Sequence, residues 1–290
     1  NAKEPRWAID FQKVEFVASR YSTFGPRDAY GEVRETRVTT QENTSIAGRG
    51  GVFLRRDAAS VDWLTGLRAD FALATYEDDA EQETADSVKA LTELQVHAWA
   101  VGGGAPYVNV SYETEFTPTT RLETEPVLDP DGNPALDADG NPILREFEVD
   151  NPRKKRVEGG LGLVWSGEVV TSARIGAVVG HDFASEIADP EVGGLASVSL
   201  LVDLSPLTWS FDGELRYYLP GLGEDDPTEL GTILQARTSL LAPVVGGLSM
   251  GVFVDLYGYR GQVDATSDPG ASLITGVGLT FDRFLKPGYQ

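Results

Sequence analysis

The stretch Leu207-Thr208-Trp209-Ser210-Phe211-Asp212-Gly213-Glu214-Leu215-Arg216-Tyr217-Tyr218-Leu219 decides the fold class. Leu207, Trp209, Phe211, Leu215 and Tyr217 fall on one face, and Thr208, Ser210, Asp212, Glu214 and Arg216 on the other. A period of two sustained this far is a long, half-buried β-strand, because successive side chains of a strand point to opposite faces. The pattern recurs. Leu248, Met250, Val252, Val254 and Leu256 oppose Ser249, Gly251, Asp255 and Tyr257; Ile175, Ala177 and Val179 oppose Ser172, Arg174 and Gly176. Val108, Val110 and Tyr112 oppose Asn109, Ser111 and Glu113; Val157, Leu161 and Leu163 oppose Arg156, Glu158 and Gly160.

Strands of soluble sandwiches run about 5–6 residues, whereas a tilted strand crossing a bilayer needs about 9–11. Strand length therefore favours a barrel whose apolar face meets lipid and whose polar face meets a lumen. Strands are expected at roughly 45–55, 61–76, 85–101, 106–118, 155–166, 169–183, 193–204, 206–219, 229–242, 247–260 and 271–284. An even count needs one more, either Trp7–Tyr21 with a register break between Phe11 and Val14, or the weaker stretch 30–39. The first is preferred, with 28–44 as a structured extracellular excursion. Connections alternate without a miss. Short ones fall at 56–60, 102–105, Gly167, 205–206 and near Val244; long ones fall at 77–84, 119–154, 184–192, 220–228 and 261–270. The expected fold is all-β: one transmembrane antiparallel up-and-down barrel of about twelve strands, with short periplasmic turns and long acidic extracellular loops. The flanks TRLETEPV (120–127) and ILREFEV (143–149) make 119–154 a hairpin insertion.

Aromatic placement supports a bilayer. Trp63, Trp165 and Trp209 lie near short turns, and Tyr76, Phe116, Phe183, Tyr217, Tyr218, Tyr257 and Tyr259 near long loops, as two interfacial girdles would. Trp99 points inward in this register. Gly276-Val277-Gly278-Leu279-Thr280-Phe281 resembles the terminal strand of Gram-negative outer-membrane barrels, although nine residues follow Phe281. The segments ADFALATYEDD (69–79), ADSVKALTELQVHAWA (85–100) and APYVNVSYETEFTP (105–118) resemble a family of outer-membrane barrels without assigned activity. That resemblance covers about a fifth of the chain. It implies the fold and a bacterial outer-membrane location, and no catalytic residues.

Composition narrows the function classes. The 290 residues carry 24 Lys+Arg against 45 Asp+Glu, a formal charge of −21, which argues against nucleic-acid binding. With no cysteine and 2 histidines, thiolate or multi-histidine metal centres are excluded. The chain starts at NAKEPRW, as after removal of a secretory signal or trimming. His181-Asp182 lacks a matching serine motif and His181 has lipid-face parity, so an outer-membrane hydrolase is disfavoured and no catalytic residue is assigned.

Candidate lumen-lining charges are Arg49, Arg68, Asp70, Glu93, Glu113, Glu115, Glu158, Arg174, Asp212, Glu214, Arg216, Arg237 and Asp255. They suit a polar pore or a salt-bridged plug. Arg153, Lys154, Lys155 and Arg156 form the dense cationic run, a candidate contact for lipopolysaccharide phosphates. Asp129, Asp131 and Asn133, then Asp137, Asp139 and Asn141, resemble fragments of a calcium loop without its terminal Glu, so calcium is the one candidate cofactor; two tight turns are the simpler and preferred reading. The acidic loops would concentrate cations or simply aid solubility. The expected function is a passive pore for small solutes. A plugged structural or surface-interaction barrel in an envelope complex is the alternative, and a soluble all-β binding protein the lesser one.

Overall fold

The computed structural model describes residues 6–30, 33, 35–39, 42–75, 81–115, 119–127, 144–151, 155–183, 190–219, 229–263 and 266–285. Among the described residues, fourteen strands follow in chain order: β1 (Arg6–Phe24), β2 (Asn43–Asp57), β3 (Val61–Thr75), β4 (Glu81–Val96), β5 (Ala105–Thr114), β6 (Thr119–Pro126), β7 (Leu144–Asn151), β8 (Lys155–Trp165), β9 (Val170–Asp182), β10 (Glu191–Asp203), β11 (Thr208–Tyr218), β12 (Leu230–Val245), β13 (Leu248–Gly261) and β14 (Gly270–Leu285). Twelve of them close a barrel in the order β1-β14-β13-β12-β11-β10-β9-β8-β5-β4-β3-β2, and β6 pairs with β7 outside it. All pairings are antiparallel between sequence neighbours, apart from β5–β8, which bracket the β6–β7 hairpin, and the closing pair β1–β14. Closure gives each of the twelve barrel strands a partner on both sides, so the barrel itself has no edge strand.

The first barrel strand is Arg6–Phe24, and its register shifts between Phe11 and Val14. The described residues among 30–39 are not a strand. They hold the end of a 3-10 turn, Arg27–Tyr30, and a four-residue helix α1, Thr36–Thr39. β4 ends at Val96, short of the expected 101, because the chain turns into a 3-10 turn at His97–Trp99. Trp99 therefore leaves the strand register and is exposed rather than inward. The tightest connection is Gly246-Gly247 between β12 and β13. Both glycines have positive φ (56° and 88°), the backbone a two-residue hairpin matched to strand twist requires.

Candidate functional site: the lumen and the loop inside it

Register assigns the inward face. Glu15, Val17, Ser19 and Tyr21 of β1 are buried in alternation, and their cross-strand partners carry the same face around the barrel. Charges on that face lie in three levels. At mid-height, Arg237 of β12 reaches over β13 and β14 to Glu15 of β1 (Nη2–Oε1 2.5 Å). Glu15 also meets Arg49 at 3.5 Å, and Arg49 meets Asp70 at 3.8 Å. Near the short turns, Arg174 of β9 forms a fork on Glu93 of β4 (2.6 and 3.1 Å), crossing β8 and β5, and Glu93 is only 3% exposed. Near the long loops, Arg156 of β8 donates to Glu191 (2.6 Å), Glu229 (3.4 Å) and the Tyr218 hydroxyl (3.0 Å). Arg216 of β11 pairs there with Glu158 and Glu214.

Guanidinium groups also stack on inward aromatic rings. Arg174 lies over Tyr107 (5.5 Å), Arg156 over Tyr218 (5.6 Å) and Arg237 over Phe253 (4.3 Å). Phe253 lies flat on its cross-strand partner Gly276, where an added Cβ would sit 2.9 Å from the ring. Glycine there is what lets the ring fold along the wall beneath Arg237.

The connection between β1 and β2 turns back into this lumen. Tyr30 and Val38 are 0% exposed, and with Val33 they pack against Leu230, Tyr257 and Tyr259 of the wall. The Tyr30 ring meets Tyr259 edge-on at 4.9 Å, and its hydroxyl donates to the carbonyls of Thr266 (2.7 Å) and Asp268 (2.5 Å). Burial pushes the Tyr30 phenol above its ordinary pKa, which keeps it a donor. The Tyr21 hydroxyl donates to the Arg37 carbonyl. Arg37 itself reaches Asp255, the eighth of fourteen residues in β13, with Nη2–Oδ1 at 2.7 Å, and lies over Tyr257 at 4.8 Å. Through its described residues, the expected extracellular excursion at 28–44 is thus an inward strap reaching mid-barrel. Two buried aromatic or β-branched side chains stabilise its docking by roughly 1.5–3 kcal/mol each.

The opposite face of the wall carries an apolar belt. Phe16, Val52, Leu67, Val110, Leu161, Ile175, Leu215, Leu234, Val252 and Val277, each from a different strand, are all strongly exposed. Ile46 is 70% and Leu161 64% exposed, and no part of the described chain covers them. A closed sheet with a greasy outside and a charged inside has hydrocarbon as its outer solvent. The chain is a β-barrel of the bacterial outer membrane. No protein-family model and no curated protein matches it. Among solved structures it is similar to the translocator domain of autotransporter NalP from Neisseria meningitidis (13% identity, TM-score 0.44, 96% of this chain and 88% of that one). It is also similar to a Pseudomonas aeruginosa FadL homologue (9%, 0.44, 96% and 90%) and to the outer membrane channel DcaP of Acinetobacter baumannii (10%, 0.36, 96% and 97%).

Within the outer-membrane barrel, Arg49, Arg68, Asp70, Glu93, Arg174, Glu158, Glu214, Arg216, Arg237 and Asp255 share the inward face and form ion pairs there; Arg68 meets Asp70 at 3.0 Å. Glu113 meets Lys89 at 3.7 Å, and Glu115 lies just beyond β5. Asp212 stands opposite Arg237 in register yet stays exposed, so the lumen keeps space beside the strap.

Other expectations change. Arg156, grouped with a lipid-facing cationic run, has the parity of Glu158 and points into the lumen; Lys155 is exposed, while Arg153 and Lys154 lie outside the described residues. Tyr218, Tyr257 and Tyr259 were expected in an interfacial girdle but are buried inward, because each shares parity with a lumen charge. Tyr217 and Phe183 do face outward; Tyr76 and Phe116 lie outside the described residues. So do Asp129, Asp131, Asn133, Asp137, Asp139 and Asn141, the candidate calcium ligands. His97 holds Asp62 at 2.9 Å beside the short turn, and His181 packs against Phe183. Arg37, Tyr30 and Val38 escaped the strand-based reading. Their signal is the apolar pair Val33 and Val38 flanking Arg37 in a segment with no period of two.

Proposed function

We propose that this outer-membrane barrel is a channel for small polar solutes that its first loop keeps shut at rest. The observation carrying the reading is the Arg37–Asp255 contact at mid-height, backed by the burial of Tyr30 and Val38. The wall-to-wall pairs fix the barrel's cross-section, since both partners belong to strands. The strap is tied at its two ends, and its described contacts with the wall run through side chains of the strap or, from the Tyr21 hydroxyl to the Arg37 carbonyl, of the wall, so its release needs no strand to move. The exposed carboxylate of Asp212 favours a wettable path over a solid core.

The test is single-channel recording in planar bilayers. Wild-type protein should give few or no current steps. Replacing residues 27–41 by a Gly/Ser linker of equal length, which behaves as flexible coil, should give frequent, uniform steps. A correctly folded loop variant that remains silent would overturn the channel. It would leave the reading favoured by the cross-lumen pairs Arg174–Glu93 and Arg216–Glu158, a permanently closed structural barrel.

A further inference from the structure

Asp255 is buried at mid-lumen, and the wall supplies it poorly with positive charge. Its wall neighbour Arg237 commits its short contact to Glu15 at 2.5 Å and comes no nearer to Asp255 than 3.8 Å, beyond hydrogen-bond reach. The wall thus gives Asp255 a long ion pair and no hydrogen-bonding cation, the partner a buried carboxylate gains most from. That partner arrives on the strap, as the Arg37 guanidinium, 2.7 Å from Oδ1 and stacked over the ring of Tyr257. Tyr257 is 1% exposed, enclosed by Arg37 on its face and by the cluster of Tyr30, Val33, Val38 and Tyr259. Carboxylate at one edge and aromatic face beneath is the arrangement that recognises a planar organic cation. Three further buried polar atoms there have no hydrogen-bond partner: Arg37 Nε, Arg237 Nη1 and Ser272 Oγ, the last directly cross-strand from Tyr257.

We infer that Asp255 and Tyr257 form a binding site for a soluble alkylguanidinium, and that Arg37 is its tethered occupant. The inference rests on the strap being releasable, as proposed above. A free guanidinium solute entering from the lumen competes with Arg37 for the same carboxylate and ring. Winning that competition loosens one of the contacts that keep the strap docked. The loop is then both stopper and internal mimic of the solute, and the barrel opens for the class of molecule it passes.

Truncating Arg37 to alanine empties the site without touching Tyr30 or Val38. Calorimetry on the detergent-solubilised full-length Arg37→Ala barrel, titrated with methylguanidinium at millimolar concentration, should show saturable binding. Urea, its neutral counterpart, should bind at least tenfold more weakly. Adding Asp255→Asn to Arg37→Ala should abolish binding, with circular dichroism confirming an intact barrel. Absence of methylguanidinium binding to folded Arg37→Ala, or binding unchanged by Asp255→Asn, would overturn the site whatever the conductance. Single-channel recording of wild type separates the two proposals. Methylguanidinium should raise step frequency several-fold; binding to Arg37→Ala without any such rise keeps the site but removes its role as a trigger.

Discussion

Arg174 and Arg37 make nearly the same contact on opposite sides of one lumen. Each sets a guanidinium against a buried carboxylate, Glu93 at 2.6 Å or Asp255 at 2.7 Å, and each lies over a tyrosine ring, Tyr107 or Tyr257. The difference is the tether. Arg174 belongs to β9, whose backbone is paired along both edges, so its ion pair is a strut between walls. Arg37 belongs to a four-residue helix in a loop, so its ion pair is a latch. Identical chemistry thus separates into shape-keeping and closure according to the backbone that carries it.

The strut should be the costlier to break. Glu93→Ala leaves the half-buried Arg174 without its carboxylate; breaking a fully buried pair costs about 3–5 kcal/mol, and this loss should fall at the lower end of that range. Urea unfolding in lipid vesicles should show that drop, while planar-bilayer recordings stay as silent as wild type. If Glu93→Ala opens the barrel without destabilising it, strut and latch have been assigned to the wrong sides.

The latch should fail differently. Val38→Asp places a carboxylate in the cluster of Tyr30, Leu230, Tyr257 and Tyr259. It removes at least about 2 kcal/mol of loop docking and leaves the barrel's unfolding midpoint within error of wild type. Limited proteolysis should then cut within residues 27–41, which wild type protects. An unchanged cleavage pattern would mean that the strap is held by something other than its apolar side chains.

These two cases also show why the wall was legible in the sequence and the strap was not. Glu93 and Arg174 sit in alternating strands, so parity alone places them on one face with Asp70, Glu158 and Asp255. Closure then brings distant strands together across the lumen. The same parity puts Tyr218, Tyr257 and Tyr259 among the inward residues, although their proximity to long loops suggested a membrane girdle; parity does not give their partners, the strap for Tyr257 and Tyr259 and Arg156 for Tyr218. Residues 27–39 have no such period. Whether a segment of that kind stands above the membrane or folds beneath its rim depends on tertiary contacts with Tyr257 and Tyr259, more than 200 residues away. Arg156 alternates with Val157 on the face of Glu158, so its parity is legible in the sequence; grouping it by proximity with Arg153–Lys155 set that parity aside.

The hairpin at the far end of β12 and β13 tests whether the latch depends on register. Gly246 and Gly247 hold φ values that side chains rarely adopt, and Gly246→Val adds strain of roughly 1–2 kcal/mol at one such position. Arg237 and Asp255 are direct cross-strand partners set by that turn. A small fall in unfolding free energy with methylguanidinium binding to Arg37→Ala retained is expected. Loss of binding would show that the turn positions Asp255 from a distance.

A third guanidinium–carboxylate pair marks the lower limit of the comparison. Arg55 and Asp57, two residues apart on the inward face of β2 near its short turn, approach to 2.5 Å, closer than either the strut or the latch. Both side chains are 48% exposed and solvent can replace either partner. Water screens such a pair, and ordering two mobile side chains offsets most of the attraction, so Arg55→Ala should change stability by less than about 0.5 kcal/mol. An effect comparable to Glu93→Ala would make separation, rather than burial, the quantity that ranks the ion pairs. If Arg55→Ala is neutral while Glu93→Ala is severe, the worth of each arginine in this barrel follows from how completely the lumen withdraws its partner from water.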